Sequence, residues 1–578
     1  MTSTRRAAFA LALVCVLAAG LRMIALQYGL PAVYNPDEAA IMTRALSFGR
    51  GTLNPHNFLY PTFYFYVLFV WVAAYLAFVY VTGRVDSIAA LQRLFFADPT
   101  GIYTAGRLLG VACGTATVFL LYRLAERLTD RRTAIAASLF LATAPLHVRD
   151  SHYVKHDVPA TLAIVAAYLA IARLWPASND RQLSTRDTVL AGAACGIAFS
   201  THYYCVFLAI PLALAVIQRW KTRGVQGCAQ QVVVAAAASA VLFFALSPFL
   251  LVEPVTALRD ITANRQIVVD RAVTGGAFAP ARRYLEMLWL DAAGQPVALL
   301  GILGAVWMLF KHPARAALLL AFPVPFLLFI SNTAPASRYL NPVLPFVVLF
   351  AAWTLSAIGR RVRATPLAFA ALVTLVAAPG LLQSVKGELF LRRDDTRTLA
   401  ERYIEANVPT GTTILTQPYS AALTPSKEGL TEALNLHLGS AEAASPKFQL
   451  QLSLNPYPAP AYRLIYLGRG GLDVDKIYVD PAGLGGPDAL ATLRRLGVTY
   501  VLVKRYNSPD PETLPFVTVL AREGEKVAAF SPYRDEPSDA GQAVAEPFLH
   551  NTDARIDEAL ARPGPPLELW KIDTVVSR

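Results

Sequence analysis

Cysteine is scarce in this chain. Cys15, Cys113, Cys195, Cys205 and Cys228 are the only five in 578 residues, and nothing after Cys228 can form a disulfide. A disulfide framework is therefore excluded for the C-terminal part. No Cys-x-x-Cys pair occurs, so neither a zinc ribbon nor a thiol redox motif is expected. The five read as small apolar packing residues. Charge is scarce too: 16% of residues are Asp, Glu, Lys or Arg, against about 25% in a soluble domain. With 55% hydrophobic residues and a mean hydropathy of +0.42, this excludes an ordinary cytosolic enzyme, a disordered chain and a fibrous protein. No Walker-type or Gly-x-Gly-x-x-Gly loop stands out, so no nucleotide site is expected.

What is abundant is apolar sequence in separate blocks. Charge-free runs cover residues 7–21, 108–122, 133–148, 158–172, 188–218, 224–252, 292–310, 316–337, 339–359 and 364–385. Such runs mark a many-span membrane protein. The run 188–218 is too long for one helix and is broken near Ser200-Thr201-His202. Residues 7–21 follow Arg5 and Arg6 and contain Ala18-Ala19-Gly20 near their end. They also fit a cleaved secretory leader, which the later spans do not require. The net charge of +12 is divided unevenly: residues 387–578 carry 20 basic and 25 acidic groups, the first 386 carry 32 and 15. A basic membrane part and an acidic tail fit cationic cytoplasmic loops and a soluble outer domain. The basic residues sit between apolar blocks and form no continuous patch, so no nucleic-acid partner is expected.

Short loops set the orientation. Arg123/Arg127/Arg131/Arg132, Arg173/Arg181/Arg186, Arg219/Lys221/Arg223, Lys311/Arg315 and Arg360/Arg361/Arg363 are expected in the cytoplasm. The alternate connections are then external: 28–107, 149–157, the turn at His202, 253–291 and Arg338. Eleven crossings result, with the N-terminus inside and the tail outside the cytoplasmic membrane. Residues 61–83 are long enough to span, but one crossing there would invert every later loop. The segment 61–103 is therefore expected to enter and leave on one side, following a first outer loop at 28–60: as a juxtamembrane or re-entrant segment, or by pairing with the weaker apolar stretch 85–96 to make two crossings. Its Phe63, Tyr64, Phe65, Tyr66, Trp71 and Tyr75 suit an interface. The expected domains are a membrane unit at 1–386 and an α/β unit at 387–578. In the latter, 396–407 reads as an amphipathic helix followed by a strand at 412–416, and 489–503 repeats helix, glycine and strand.

Two outer loops concentrate ionisable residues. The first holds Asn35-Pro36-Asp37-Glu38, where Pro36 ends the preceding element and the acids open a new one. A carboxylate there can act as a general base or hold a metal; it can equally be a helix N-terminus meeting the dipole. The second is Arg149-Asp150-Ser151-His152-Tyr153-Val154-Lys155-His156-Asp157, between two apolar runs. Ionisable residues at a membrane edge are functional candidates, and a solvated turn is the plain alternative. His152 and His156 have i, i+4 spacing that suits zinc on one helical face, although no third ligand is evident. Arg107, His202-Tyr203-Tyr204 and Arg338-Tyr339 are expected on the same side. Cations beside carboxylates suit a phosphate ligand attacked by an activated nucleophile.

These landmarks, in their order and spacing, resemble the GT-C superfamily of membrane glycosyltransferases. The branch is that of protein O-mannosyltransferases and the lipid A aminoarabinose transferase. The resemblance rests on Pro36-Asp37-Glu38, Tyr60-Pro61-Thr62-Phe63-Tyr64, Gly106-Arg107-Leu108-Leu109-Gly110, Tyr122-Arg123-Leu124, residues 133–145, residues 152–159, Ser200-Thr201-His202 and Arg338-Tyr339-Leu340-Asn341-Pro342. Thr396-Arg397-Thr398-Leu399-Ala400 with Val408-Pro409 looks like the start of the outer domain of bacterial members. The resemblance implies a polytopic α-helical fold of GT-C type, about 11–13 transmembrane helices, with a C-terminal soluble α/β domain. It implies a polyprenyl-phosphate sugar donor used on the outer face. Asp37 matches the catalytic base, Glu38 its neighbour and Asp157 the second acid; Arg107 matches an arginine on the donor phosphate. Lys155, Arg338 and His202 join it as phosphate-binding candidates, with His152, His156, Tyr60 and Tyr339 as further site candidates. Two departures stand out. Leu59-Tyr60-Pro61-Thr62 lacks a lysine common before the Pro in bacterial members, and His202 stands where a lysine often follows Thr, so an aminoarabinose donor is not supported.

The expected reaction is transfer of a sugar from the lipid phosphate to an acceptor that is a lipid, a glycan or a protein. A divalent metal is compatible with the acids. Two other readings fit the same residues: a non-catalytic assembly or lipid-binding subunit, and a transporter of lipid-linked sugars. A transporter predicts inverted repeats and mid-span charges, and neither is visible.

Overall fold

The computed structural model describes residues 3–175, 184–218, 220–269, 279–471, 473–486, 488–505, 513–535, 545–549 and 556–572. Arg181 and Arg219 of the basic loops lie outside them. The chain opens with α1 (Ser3–Met23) and α2 (Pro36–Ser47), then α3 (Phe63–Val81), α4 (Ile88–Ala97) and the long α5 (Thr100–Leu128). Pro145 separates α6 (Arg131–Ala142) from the short α7 (Pro145–Asp150). Next come α8 (Asp157–Leu174), α9 (Thr185–Thr201), α10 (Ala209–Ile217), α11 (Trp220–Leu246), α12 (Phe249–Val252), α13 (Pro254–Val269) and α14 (Ala279–Met287). The bundle closes with α15 (Gln295–Lys311), α16 (Pro313–Leu320), α17 (Pro323–Ile330), α18 (Leu344–Arg361) and α19 (Pro366–Leu391).

Among the described residues, seven helices are long and apolar enough to cross a membrane alone: α1, α3, α5, α8, α11, α18 and α19. The bent pair α16–α17 makes an eighth. Eleven crossings were expected from the charge-free runs. Four of the expected crossings fall on α6, α9, α10 and α15, which have 12, 17, 9 and 17 residues and are too short to be counted alone, while α3 is counted although no single crossing was expected there. Interruptions such as Pro145 and the turn at His202 cut apolar runs into shorter helices. Arg360 pairs with Asp130 at 2.9 Å and Arg361 lies over the Trp307 ring. The basic loops after α5, α15 and α18 therefore share one end of the bundle.

Helix α3 passes the length test as well, in a segment where no single crossing was expected. Before it, the Thr62 N–H donates to Ser247 Oγ just past α11. After it, Arg93 of α4 donates to the Asn455 carbonyl of the α/β domain. On α3, Tyr64, Phe65, Leu68 and Val72 pack inward against α2 and α5, while Val70, Trp71, Phe78 and Tyr80 are exposed. Trp71 Nε1 still finds the Ala105 carbonyl at 2.8 Å.

Helix α5 presses closely on the loop that follows α7 because one face of it is glycine. A Cβ at Gly110 would lie 2.6 Å from the Ser151 carbonyl oxygen, and one at Gly106 2.7 Å from Met42 and 2.9 Å from Val154. Small residues at this spacing let backbones approach. They fix residues 151–154 against α5 and α2, which sets where Lys155 and Asp157 stand.

Helix α20 (Thr396–Asn407) opens the C-terminal domain, matching the amphipathic helix expected there. The six strands are β1 (Thr413–Thr416), β2 (Arg463–Leu467), β3 (Ile477–Val479), β4 (Val498–Lys504), β5 (Glu525–Phe530) and β6 (Leu567–Lys571), in the order β3-β2-β1-β4-β6-β5. The first four are mutually parallel; β6 runs antiparallel to β4 and β5. Strand alternation divides the core. Ile414 and Leu502 pack with Ala400 and Ile404 of α20 on one face, while Leu415, Val501 and Val503 pack with Leu490, Leu493 and Phe516 on the other. All five cysteines are free thiols.

Candidate active site

Asn35 begins the site by capping α2: its side chain accepts the Asp37 N–H at 3.1 Å, and Pro36 supplies a preset first helical residue. This places Asp37 on the first turn, facing out of the helix end. Asp37 Oδ2 lies 2.7 Å from Lys155 Nζ and 3.0 Å from an Arg338 terminal nitrogen. Three segments far apart in sequence therefore meet at one oxygen atom: the N-terminus of α2, the loop before α8 and the 3-10 turn Ser337–Leu340. The Lys155 side chain is buried, while Asp37 is 41% and Arg338 22% exposed. The carboxylate is thus open to a reactant and the cations stand behind it. Asp157, the first residue of α8, is a further charge acting on both cations.

Burial, reinforced by Arg338, pulls the Lys155 ammonium below the ordinary lysine value, against Asp37 and Asp157. Burial acts the same way on Arg338, but Tyr339, Asp157, Tyr60 and Asp37 outweigh it and hold that guanidinium above the ordinary arginine value. The pair therefore contains one permanent cation and one that loses its proton more readily. If Lys155 serves capture of an anion, kcat/KM should fall as pH rises, at lower pH than an ordinary lysine would give. Lys155→Arg should move that alkaline limb upward. A pH profile whose alkaline limb is the same in both proteins would remove Lys155 from the capture step.

Two expected site residues take a different role. Glu38 is fully buried and pairs with Arg107: Nε donates to Oε1 at 2.9 Å and a terminal nitrogen to Oε2 at 2.7 Å. Arg107 also donates to the Leu26 and Tyr28 carbonyls at 2.8 and 2.7 Å, and Glu38 Oε1 accepts the Val154 N–H at 2.9 Å. Arg107, expected on a donor phosphate, is instead sealed inside and ties the first outer loop to the second. Glu38, expected at the catalytic centre, is its counter-ion. Adjacent acids on a helix point about 100° apart; Asp37 faces the cations and Glu38 the core.

Beside the ionic centre lies an aromatic and imidazole cluster. Tyr60 stacks on His156 with ring centroids 4.3 Å apart and meets His202 edge-on at 5.2 Å. His202 stacks on Tyr204 at 3.7 Å. Burial, with Arg338 adding to it, lowers His202 to about 3. The shift favours the neutral ring, which can still offer one N–H to a phosphate. Tyr339 lies under Arg338, whose Cζ is 5.3 Å from the ring centroid.

The structure does not bring His152 and His156 together as the zinc pair their spacing would allow. Residues 151–156 are turn, not helix, so i, i+4 spacing does not align the rings. His152 Nε2 lies 3.2 Å from Glu388 Oε2 of α19, while His156 packs among Tyr60, Tyr64 and Phe65. Among the described residues no group of three or more His, Cys, Asp or Glu is arranged to hold a metal ion. Asn341, read only as part of the landmark that follows Arg338, and Glu388 were not named as site candidates. Asn341 donates to Asp150 Oδ2 at 2.6 Å, and Arg149 holds Ser337 Oγ at 3.2 Å, so the Arg338 turn is bonded to the second loop at two points. Glu388 lies three residues past the charge-free run 364–385, and that edge position was its signal.

The fold is that of the GT-C membrane glycosyltransferases. ArnT from Cupriavidus metallidurans bound to undecaprenyl phosphate is similar at a TM-score of 0.50 and 14% identity, over 91% of this chain and 97% of that one. Archaeal oligosaccharyltransferase AglB from Archaeoglobus fulgidus, in complex with an inhibitory peptide and a dolichol-phosphate, is similar at a TM-score of 0.50 and 11% identity, over 91% of this chain and 73% of that one. The sequence pattern of the family described as dolichyl-phosphate-mannose-protein mannosyltransferase matches residues 88–251. That segment includes Arg107, Lys155, Asp157 and His202; Asp37 and Arg338 lie outside it. No curated protein sequence matches the chain.

Proposed function

We propose that this protein is a glycosyltransferase that moves a sugar from a polyprenyl-phosphate carrier to an acceptor, at the membrane face bearing the α/β domain. The observation that carries this reading is one exposed carboxylate, Asp37, held by Lys155 and Arg338 at 2.7 and 3.0 Å. Two cations on one acid form a ready site for a second anion. A donor phosphate competes with Asp37 for them, takes its place, and leaves the carboxylate beside the anomeric carbon. Asp37 then accepts the proton of the acceptor hydroxyl or amine as that atom bonds to the anomeric carbon. The bond from that carbon to the phosphate oxygen breaks, and the departing phosphate keeps the electron pair. Lys155 and Arg338 stabilise the charge it gains. One displacement inverts the anomeric centre. Asp157 balances the two cations, and the apolar bundle supplies the surface for the prenyl chain.

The two similar membrane enzymes bind undecaprenyl phosphate and dolichol-phosphate respectively, which supports a lipid-phosphate donor here. The sharing of one bundle end by the basic loops supports the outer face of the cytoplasmic membrane as the site of transfer, with the N-terminus inside. Native mass spectrometry of the purified protein with added undecaprenyl phosphate tests the donor class. Wild type should retain the lipid, and Arg338→Ala with Lys155→Ala should weaken retention at least tenfold. Equal retention by the double variant would refute the phosphate site.

A further inference from the structure

The α/β domain meets the first outer loop through a buried cluster at the start of α20. Asp395 caps that helix, accepting the Arg397 N–H at 2.9 Å, and pairs with the Arg397 guanidinium through both carboxylate oxygens at 2.8 and 2.7 Å. Both side chains are 2% exposed. Arg397 also donates to the Leu549 carbonyl at 2.8 Å. Its guanidinium carbon lies 3.8 Å from the centroid of the Tyr34 ring, close enough for strong cation–π contact. Tyr34 shares a hydrogen bond with Thr398 Oγ1 at 2.6 Å, and Tyr28 donates to Asp395 Oδ2 at 3.2 Å. Tyr34 stands three residues before Asp37, and Asn35 between them caps α2. On the other side of Asp37, Glu38 is gripped by Arg107, which also holds the Tyr28 carbonyl.

We infer that the α/β domain is part of the active-site scaffold, with Arg397 as a positioning residue that clamps Tyr34 and so sets where Asp37 stands. The inference rests on the transferase reading of Asp37. Physically, the first loop has no regular structure between α1 and α2 to hold it, and its aromatic rings obtain their seats from α20. A base displaced by about 1 Å loses on the order of 10²-fold in rate, so a contact that never touches substrate can govern turnover. Arg397 is suited to this because its planar fork satisfies Asp395 with its edge while offering its face to Tyr34.

The test uses the full-length protein in nanodiscs, with Arg397→Lys, Tyr34→Ala and Tyr34→Phe. Hydrogen exchange is followed in residues 28–38 and in β1 and β4, and transfer kinetics are measured with the cell's own extracted lipid-linked sugars as donor. Arg397→Lys and Tyr34→Ala should raise exchange in 28–38 at least tenfold with the sheet unchanged. They should lower kcat at least tenfold and leave the donor KM within twofold. Tyr34→Phe keeps the ring and should stay within threefold of wild type. Unchanged exchange in 28–38 in both disruptive variants, or a loss confined to KM, overturns the clamp. If Arg397→Lys fails to fold, Tyr34→Ala decides alone. If wild type transfers no sugar, the transferase reading fails while the exchange result still decides the clamp.

Discussion

Asp37→Asn should lower sugar transfer by about 10²–10⁴-fold, the range a general base contributes, without loss of folding or membrane insertion. The side chain is 41% exposed, and its removal leaves Lys155 and Arg338 near Asp157, so the structural cost is small. The same change should not weaken binding of undecaprenyl phosphate and should strengthen it, because Asp37 is the group with which a phosphate competes for the two cations. Activity measured with radiolabelled lipid-linked sugar, together with lipid binding on the same preparation, separates the roles. Full transfer activity would reject the base assignment. Loss of lipid binding in parallel with transfer would point to a structural role. A lipid-binding subunit without catalysis would show no transfer in wild type either.

Arg107→Ala should destabilise the protein by about 3–5 kcal/mol, the usual result of removing one partner of a buried ion pair. The change strands the Glu38 carboxylate and orphans the Leu26 and Tyr28 carbonyls at once. Adding Glu38→Ala should recover only part of the loss, since the charge disappears while the two carbonyls stay unpaired and the Val154 N–H joins them. Thermal unfolding in detergent measures both. An Arg107→Ala protein with wild-type stability and weakened undecaprenyl phosphate binding would restore Arg107 to the donor site.

Much of the fold was legible because hydropathy and helical period are local. The amphipathic pattern at 396–407 gives α20 to the residue, and helix–glycine–strand at 489–503 gives the segment ending in β4. Less was legible where elements are short or interrupted: β2, β3, β5 and β6 carry no turn signature strong enough to mark them, and Pro145 divides an apolar run into α6 and α7. In the site, the side chains of Asp37, Lys155 and Arg338 were all candidates, yet so were Glu38, Arg107 and His202. Nothing in Asp37-Glu38 says which acid faces the cations; the rotation of α2 against α5 decides it.

Composition, apolar run lengths and the placing of charges by themselves determined a membrane bundle with an acidic α/β domain and ionisable residues gathered in two loops at one face. Only the tertiary structure decided which of those charges are spent on one another. Arg107 lies 69 residues from Glu38, and Arg338 lies 301 from Asp37. Ion pairing falls off over a few ångströms, so partners at that separation in sequence are chosen by how helices pack and not by any pattern along the chain.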